Sequence, residues 1–217
     1  MLFPDKKYKT ILADPPWQEQ GGGKIKRGAD RHYPLMKTEE IKKLNVPDLA
    51  DDNCWLYLWV TNNFLKDGLE VMEEWGFRYV TNMVWAKDRF GIGYYFRGQH
   101  EICLFGVKGN LKPKHRNIPS LVYAKRGKHS AKPGETIQVI EHMSHEPRIE
   151  LFARDTRPNW DAWGNEIPDL TAEEFLFSVL WWEYINNQQI NLNALCVKNY
   201  RLNHVRYAIK KLIHHGK

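Results

Sequence analysis

The sequence has little cysteine, and it has no apolar run approaching the roughly 20 residues needed to cross a bilayer. Its three cysteines, Cys54, Cys103 and Cys196, stand far apart, with neither metal-ligand spacing nor an even-numbered disulfide framework. The opening "MLFPDKKYKT" lacks the apolar centre of a signal peptide, so a reduced intracellular protein is expected. There is no Walker-type G-K-[ST], and "GIGYYFRG" does not fit G-x-G-x-x-G, which weakens nucleoside-triphosphate and nicotinamide readings. His142 and His145 lie three apart in "EHMSHEP" without a third ligand, and no metal site is expected. Acidic residues are also missing over one long stretch, from Lys108 to Lys132.

That stretch holds eight cations: Lys108, Lys112, Lys114, Arg116, Lys125, Arg126, Lys128 and Lys132. A second basic group comprises Lys24, Lys26, Arg27 and Arg31. With a net charge of +6 and a pI near 9.1, the chain suits a polyanionic partner. Solvated loops would carry the same charge runs. Both groups flank one candidate site, however, and nucleic acid is the partner this arrangement favours. Its 217 residues, 42% hydrophobic, suffice for one substantial core and a small appendage.

The periodicity alternates between strand and helix. "YKTILA" predicts a short buried strand, and "NCWLYLWV", "RYVTNMVWA", "EICLFGV", "SLVYA" and "RIELFA" predict others. A helix is expected from Thr38 through Leu44, with Glu39 and Glu40 in its first turn. "FLKDGLEVMEEWG" predicts a second, closed by Gly76, and "ETIQVIEHM" a third, entered through Pro133-Gly134. Such alternation predicts an α/β fold around a parallel sheet, with ligands at the carboxyl ends of its strands. From about Thr171 the texture changes. Residues 170–217 read as a basic helical appendage with a loose winged-helix rhythm, and a helix pair that closes the core fits them equally.

The chemistry concentrates in "ILADPPWQEQ". Proline fixes φ, donates no hydrogen bond and forces the preceding residue into an extended conformation. Asp14-Pro15-Pro16 is therefore a stiff turn rich in acceptors, placed at a strand's carboxyl end. Such a cluster matches a group with two hydrogens to donate, of which an exocyclic amino group is the obvious case. Trp17 is expected to offer a stacking face to a planar base. A plain strand terminator would show the same residues. Trp55, Trp59, Trp75 and Trp85 fall at core spacing, leaving Trp17 and Trp160 as the tryptophans with a site reading. Gly21 to Gly23 read either as a gate over the site or as a linker.

"ILADPPW" resembles the catalytic motif of the DPPW-type, MT-A70-like N6-adenine methyltransferases, a family that includes the eukaryotic messenger-RNA adenosine writer and phage and bacterial enzymes. "HYPLMKTEEIKKLNVPDLADDNCWLYLWVT", "VWAKD", "EICLFGVKGN", "HSAKPGE" and "RIELFARDTRPNWDAWGNEI" resemble its successive blocks, in order, from about Thr10 to about Ile167. The resemblance implies a permuted Rossmann-like sheet with flanking helices over residues 1–169 that binds S-adenosylmethionine. It makes Asp14 the catalytic carboxylate and also a cofactor contact, with Pro15, Pro16 and Trp17 shaping the base pocket. It assigns Lys132, Arg154, Asn165 and Glu166 to the cofactor. Tyr33, Lys108, Lys114, Arg116, Lys125 and Arg126 are expected to meet the substrate along with Trp17. Thr156 stands where the eukaryotic catalytic subunit has histidine, which puts one cofactor contact in doubt.

Methylation of adenine N6 in nucleic acid is the function this implies, with DNA favoured over RNA in a bacterial or phage-infected cytoplasm. A homodimer or a related partner subunit is compatible with the resemblance. Two other readings stay open: a non-catalytic nucleic-acid-binding subunit, and methylation of a protein side-chain amide. An intact Asp14 weighs against the first and the basic stretch against the second.

Overall fold

The computed structural model describes residues 3–18, 35–91, 93–127 and 131–165. The expected appendage, the basic group from Lys24 to Arg31, Gly21 to Gly23, Tyr33, Lys128 and Glu166 lie outside the described residues. The chain divides into two compact units, residues 2–152 and, apart from Met1, residues 153–217.

In the larger unit, strand β1 (Tyr8–Ala13) is buried almost throughout. It pairs in parallel with β2 (Ala50–Val60) on one side and β6 (Arg148–Leu151) on the other. A central parallel strand is covered on both faces, which is why "YKTILA" reads as a nearly continuous apolar run. Strand β2 begins three residues earlier than its pattern predicted, because Asp51 and Asp52 are polar and break the apolar run that the pattern follows. The remaining strands are β3 (Arg78–Lys87), β4 (His100–Lys108) and β5 (Leu121–Ala124). Across this unit the order is β5-β3-β4-β2-β1-β6.

The sheet is mixed, which corrects the expectation of a parallel one. Strand β4 runs antiparallel to both β2 and β3, whereas β5 is parallel to β3. A parallel neighbour needs a crossover, usually a helix. Among the described residues no helix lies between β3 and β4, and β4 runs back beside β3. One edge of the sheet therefore gathers the carboxyl ends of β1, β2, β3, β5 and β6 together with the amino end of β4.

Helix α1 (Thr38–Lys42) stops two residues short of its predicted end. The Lys37 N–H donates to Glu40 Oε2 at 2.8 Å, satisfying a backbone donor at the helix start. Lys42 then binds Glu70 at 2.8 Å, tying α1 to α2 (Leu65–Glu74). Helix α2 turns Val71 and Met72 inward. Gly106 on β4 permits its close approach, since an added Cβ would stand 2.6 Å from Met72 Sδ. Gly76, at φ 79°, ends the helix as its position predicted. Helix α3 (Gly134–Met143) begins after Pro133 and buries Thr136, Ile137 and Ile140.

The tryptophans at core spacing are indeed core. Trp55, Trp59, Trp75 and Trp85 are all buried. The indole N–H groups of Trp75 and Trp85 donate to the carbonyls of Ile41 and Ala124, at 3.1 and 2.9 Å. Strand β5 closes the strand order on its side among the described residues. It is only four residues long, and Leu121 and Tyr123 point outward.

In the second unit, β7 (Trp160–Trp163) was not foreseen. The Ala153 N–H reaches the Trp163 carbonyl at 3.0 Å. Trp160 is buried, with the Arg157 guanidinium 5.9 Å from its ring centre. Among the described residues no helix is long and apolar enough to cross a membrane.

Candidate active site

Asp14 follows β1 directly and lies at the gathered edge, as its position after the apolar run predicted. Its carboxylate is half-buried and accepts a hydrogen bond from Lys132 Nζ at 2.5 Å. The same Nζ lies 3.4 Å from Glu101, and Glu101 accepts from Lys87 Nζ at 2.5 Å. Four side chains thus form a chain of alternating charge, Asp14–Lys132–Glu101–Lys87. They come from four elements: the end of β1, the entry to α3, the start of β4 and the end of β3. Only the reversed direction of β4 puts Glu101 at this edge. Had β4 run parallel, its first residues would lie at the far side of the sheet.

The electrostatics follow from this packing. Burial alone would lower Lys132, but the carboxylates of Asp14 and Glu101 outweigh it and hold the ammonium above the usual lysine range. Burial alone would raise Glu101, and Lys132 and Lys87 together hold it below the usual range. Both groups therefore stay charged near neutrality. Lys132 Nζ also lies 5.3 Å from the ring centre of Trp59, and Lys87 Nζ 4.8 Å from that of Trp85. Aromatic faces favour the cations there. The buried thiols do not compete as nucleophiles. Burial pushes Cys54 up to about 12 and Cys103 higher still.

The turn after Asp14 is built as expected in stiffness but not in its acceptors. The Pro15 carbonyl already receives the Trp17 N–H at 2.9 Å, and the Pro16 carbonyl receives Met36 N–H at 2.8 Å. Each carbonyl keeps a second lone pair, so the turn retains accepting capacity but is not the open array that the sequence suggested. Trp17 is also corrected. Its ring is 5% exposed, stacks on Phe64 at 5.4 Å and donates Nε1–H to the Trp59 carbonyl at 3.0 Å. It locks the turn onto β2 and onto Phe64, the residue just before α2, instead of standing open to a base. An apolar ring beside two prolines gains more from core packing than from water.

The basic stretch is not one strip. Lys108 ends β4 opposite Cys54, at the far edge of the sheet, seven residues and roughly 23 Å along the strand from Glu101. Lys114 is also away from Asp14, its N–H bonded to the carbonyl of Met143 at the end of α3. Arg116 follows two residues on and is exposed. Lys125 and Arg126 are placed differently. They follow β5 at the gathered edge, and the Arg126 N–H donates to Asp88 Oδ1 at 3.0 Å. So Lys108 and Lys114 are not brought to the site, whereas Lys125 and Arg126 reach its edge. Arg154 is half-buried and Asn165 exposed, both in the second unit. His142 stacks on His115 at 3.9 Å, and the His145 ring contacts the Lys112 carbonyl.

Sequence reasoning missed Glu101, Lys87, Trp59 and Phe64 as parts of the site. Glu101 and Lys87 stood in quoted blocks, but no local spacing joins residues from separate strands.

Comparison with known proteins fits this geometry. The family model described as MT-A70 matches residues 8–166. The Type II methyltransferase M.MunI of Mycoplasma sp is 36% identical over 194 residues, covering 79% of this chain and 82% of that protein. The N(6)-adenosine-methyltransferase catalytic subunit METTL3 of Homo sapiens is 32% identical over 185 residues, covering 76% of this chain and 30% of that protein. Its counterpart in Danio rerio is 34% identical over 173 residues, covering 74% of this chain. The chain spans less than a third of the length of these METTL3 proteins. Mixed sheet, flanking helices and family match together define a Rossmann-like α/β methyltransferase. The chain belongs to the MT-A70 family.

Proposed function

We propose that the protein transfers a methyl group from S-adenosylmethionine to the N6 amino group of adenine in nucleic acid, with DNA favoured over RNA. The observation that carries this is the Asp14 carboxylate, fixed by a double-proline turn and paired with the Lys132 ammonium at 2.5 Å. The METTL3 relatives are named as N(6)-adenosine methyltransferases. DNA is favoured because the chain matches a small bacterial relative over most of that protein's length.

The amino nitrogen of adenine is a poor nucleophile because its lone pair is delocalised into the ring. A hydrogen bond from that group to Asp14, with a second to the remaining lone pair of the Pro15 carbonyl, favours a pyramidal nitrogen. Asp14 would then stabilise the positive charge that develops on nitrogen as its bond to the methyl carbon replaces the carbon–sulfur bond, the surplus N–H proton passing to solvent. Lys132 holds the carboxylate in place and can lean toward Glu101 as that charge grows, because it already lies between the two. S-adenosylmethionine would supply an electrophilic methyl group on a sulfonium centre. By residue type the groups that the resemblance assigns to it suit such a molecule, since Lys132 and Arg154 are cations able to pair with a carboxylate. Asn165 and Glu166 are the groups assigned to its ribose and amino-acid moieties.

Incubation with methyl-labelled S-adenosylmethionine and a panel of single- and double-stranded DNA and RNA oligonucleotides tests this. Label on adenine N6, greatest on DNA, is expected. Label on a protein amide, or none, would overturn the reading.

A further inference from the structure

The segment joining β3 to β4 carries the most exposed aromatic cluster among the described residues. Tyr94, Tyr95 and Phe96 stand in succession, 94%, 88% and 91% exposed. Three large rings together in water need a reason, because burial of each would be favourable. The segment is not loose at its base. Lys87 N–H donates to the Gln99 carbonyl at 2.8 Å and Gly91 N–H to the Gly98 carbonyl at 2.7 Å. The Arg97 Nε–H donates to the Gly91 carbonyl at 2.8 Å, and its guanidinium lies 4.5 Å from the ring centre of Phe90. Gly93 turns so tightly that an added Cβ would collide with the Phe96 carbonyl. A braced stem therefore holds the three rings out at its tip.

Position gives the rings their target. The stem leaves the sheet at Lys87 and returns at Glu101, which are two of the four charged groups linked to Asp14. Its first residue after β3, Asp88, accepts from the Arg126 N–H, so Lys125 and Arg126 stand at its base. Arg89 and Arg97 add two further cations against the single carboxylate of Asp88. Cations at the base with stackable rings at the tip form the combination that grips a phosphate backbone and fills gaps between bases. A protein partner would be served as well by the rings, but not by this concentration of positive charge.

We propose that Tyr94, Tyr95 and Phe96 form a wedge that stacks into a DNA duplex when the target adenine leaves its base stack. This role presupposes that nucleic acid is the substrate, as proposed above. Turning out a paired base costs a few kcal/mol, and rings entering the vacated space offset part of it. A single strand needs no such help.

The test compares wild type with a Tyr94→Ala/Tyr95→Ala/Phe96→Ala variant on one target sequence, as duplex and as single strand. All three side chains are almost fully exposed, so the variant is expected to keep the wild-type melting temperature. Duplex kcat/KM should fall about a hundredfold, and single-strand kcat/KM less than about threefold. With 2-aminopurine at the target position, the fluorescence rise on duplex binding should be lost in the variant. Tyr94→Phe/Tyr95→Phe should restore both signals, because stacking needs the ring and not the hydroxyl. Equal losses on both substrates would overturn the wedge, as would unchanged duplex turnover. So would a loss that tracks a change in oligomeric state by sedimentation, which would make the rings a contact between copies of the chain. If the wild type methylates no nucleic acid, the functional reading falls and the wedge with it. If it does, and the variant matches it, only the wedge falls.

Discussion

The two edges of the sheet both carry lysines, for different ends. At one edge Asp14, Lys132, Glu101 and Lys87 are half-buried, each within reach of an opposite charge. At the other, Lys108 ends β4, and the exposed Lys112 and Lys114 follow it. In the sequence Lys132 and the cations of the far edge form one series running from Lys108 to Lys132. In the fold, strand direction sorts them. Sequence proximity to a motif therefore says little about a cation's role until the direction of its strand is known. The half-buried, mutually paired set is organised for chemistry, and Lys125 with Arg126 extends that edge outward.

The sharpest way to break this contrast is at Asp14. Asp14→Ala should reduce methyl transfer by on the order of a hundredfold or more, with the fold intact by circular dichroism. Asp14→Asn should do nearly as much, since the amide presents a donor where an acceptor is needed. Wild-type-like turnover in either folded variant would reject the mechanism. Next in size, Glu101→Gln should lower kcat about tenfold while leaving Kd for S-adenosylmethionine nearly unchanged, because Lys132 loses one of its two carboxylates. Steady-state kinetics and calorimetry separate these effects.

A third test sharpens the contrast directly. Lys125→Ala/Arg126→Ala should raise KM for duplex DNA several-fold and flatten its log–log salt slope by about 1.8, the loss of two phosphate contacts. Lys108→Ala/Lys114→Ala should leave both unchanged. Equal effects from the two pairs would erase the distinction between edges. Arg154→Ala should weaken S-adenosylmethionine by about 1–3 kcal/mol if it makes a charged hydrogen bond, as calorimetry would show.

The smallest expected effect is that of pH. Glu101 lies below its ordinary 4.5, so its pairing stabilises the fold above that value and is lost only as pH falls through the lowered one. Lys132 lies above its ordinary 10.5, so its contribution is complete below that value and is lost only as pH rises through the raised one. Neither should bend the profile of kcat/KM between about pH 5 and 10. A limb in that window which Glu101→Gln abolishes would show that Glu101 titrates there.

Much of this was legible before the structure. The apolar run of Tyr8–Ala13 followed by two prolines fixes both a buried strand and a rigid carboxylate at its end, since each property is local. Gly76 as a helix terminus is equally local. Lys132 came only through family resemblance, because nothing near it in sequence points to Asp14. Glu101 and Lys87 were out of reach for a different reason: their meeting depends on β4 turning back. One signal did exist for that turn. No helical pattern separates the two strands, and a direct connection favours antiparallel neighbours. Trp17 was misread because an aromatic beside a catalytic motif can face either way, and only Phe64 and the Trp59 carbonyl decide which.

Strand β5 bears on how the molecule behaves in concentrated solution. It leaves a row of backbone donors and acceptors along the last strand of the described sheet, the kind of margin on which chains stack into aggregates. Its brevity limits that row to four residues. Pro119 precedes it by two residues, and Lys125 and Arg126 follow at once, so a second copy aligned there would meet an early stop and like charge. The cations that mark the outer margin of the site thus also serve as gatekeepers, and replacing them would be expected to lower solubility as well as affinity.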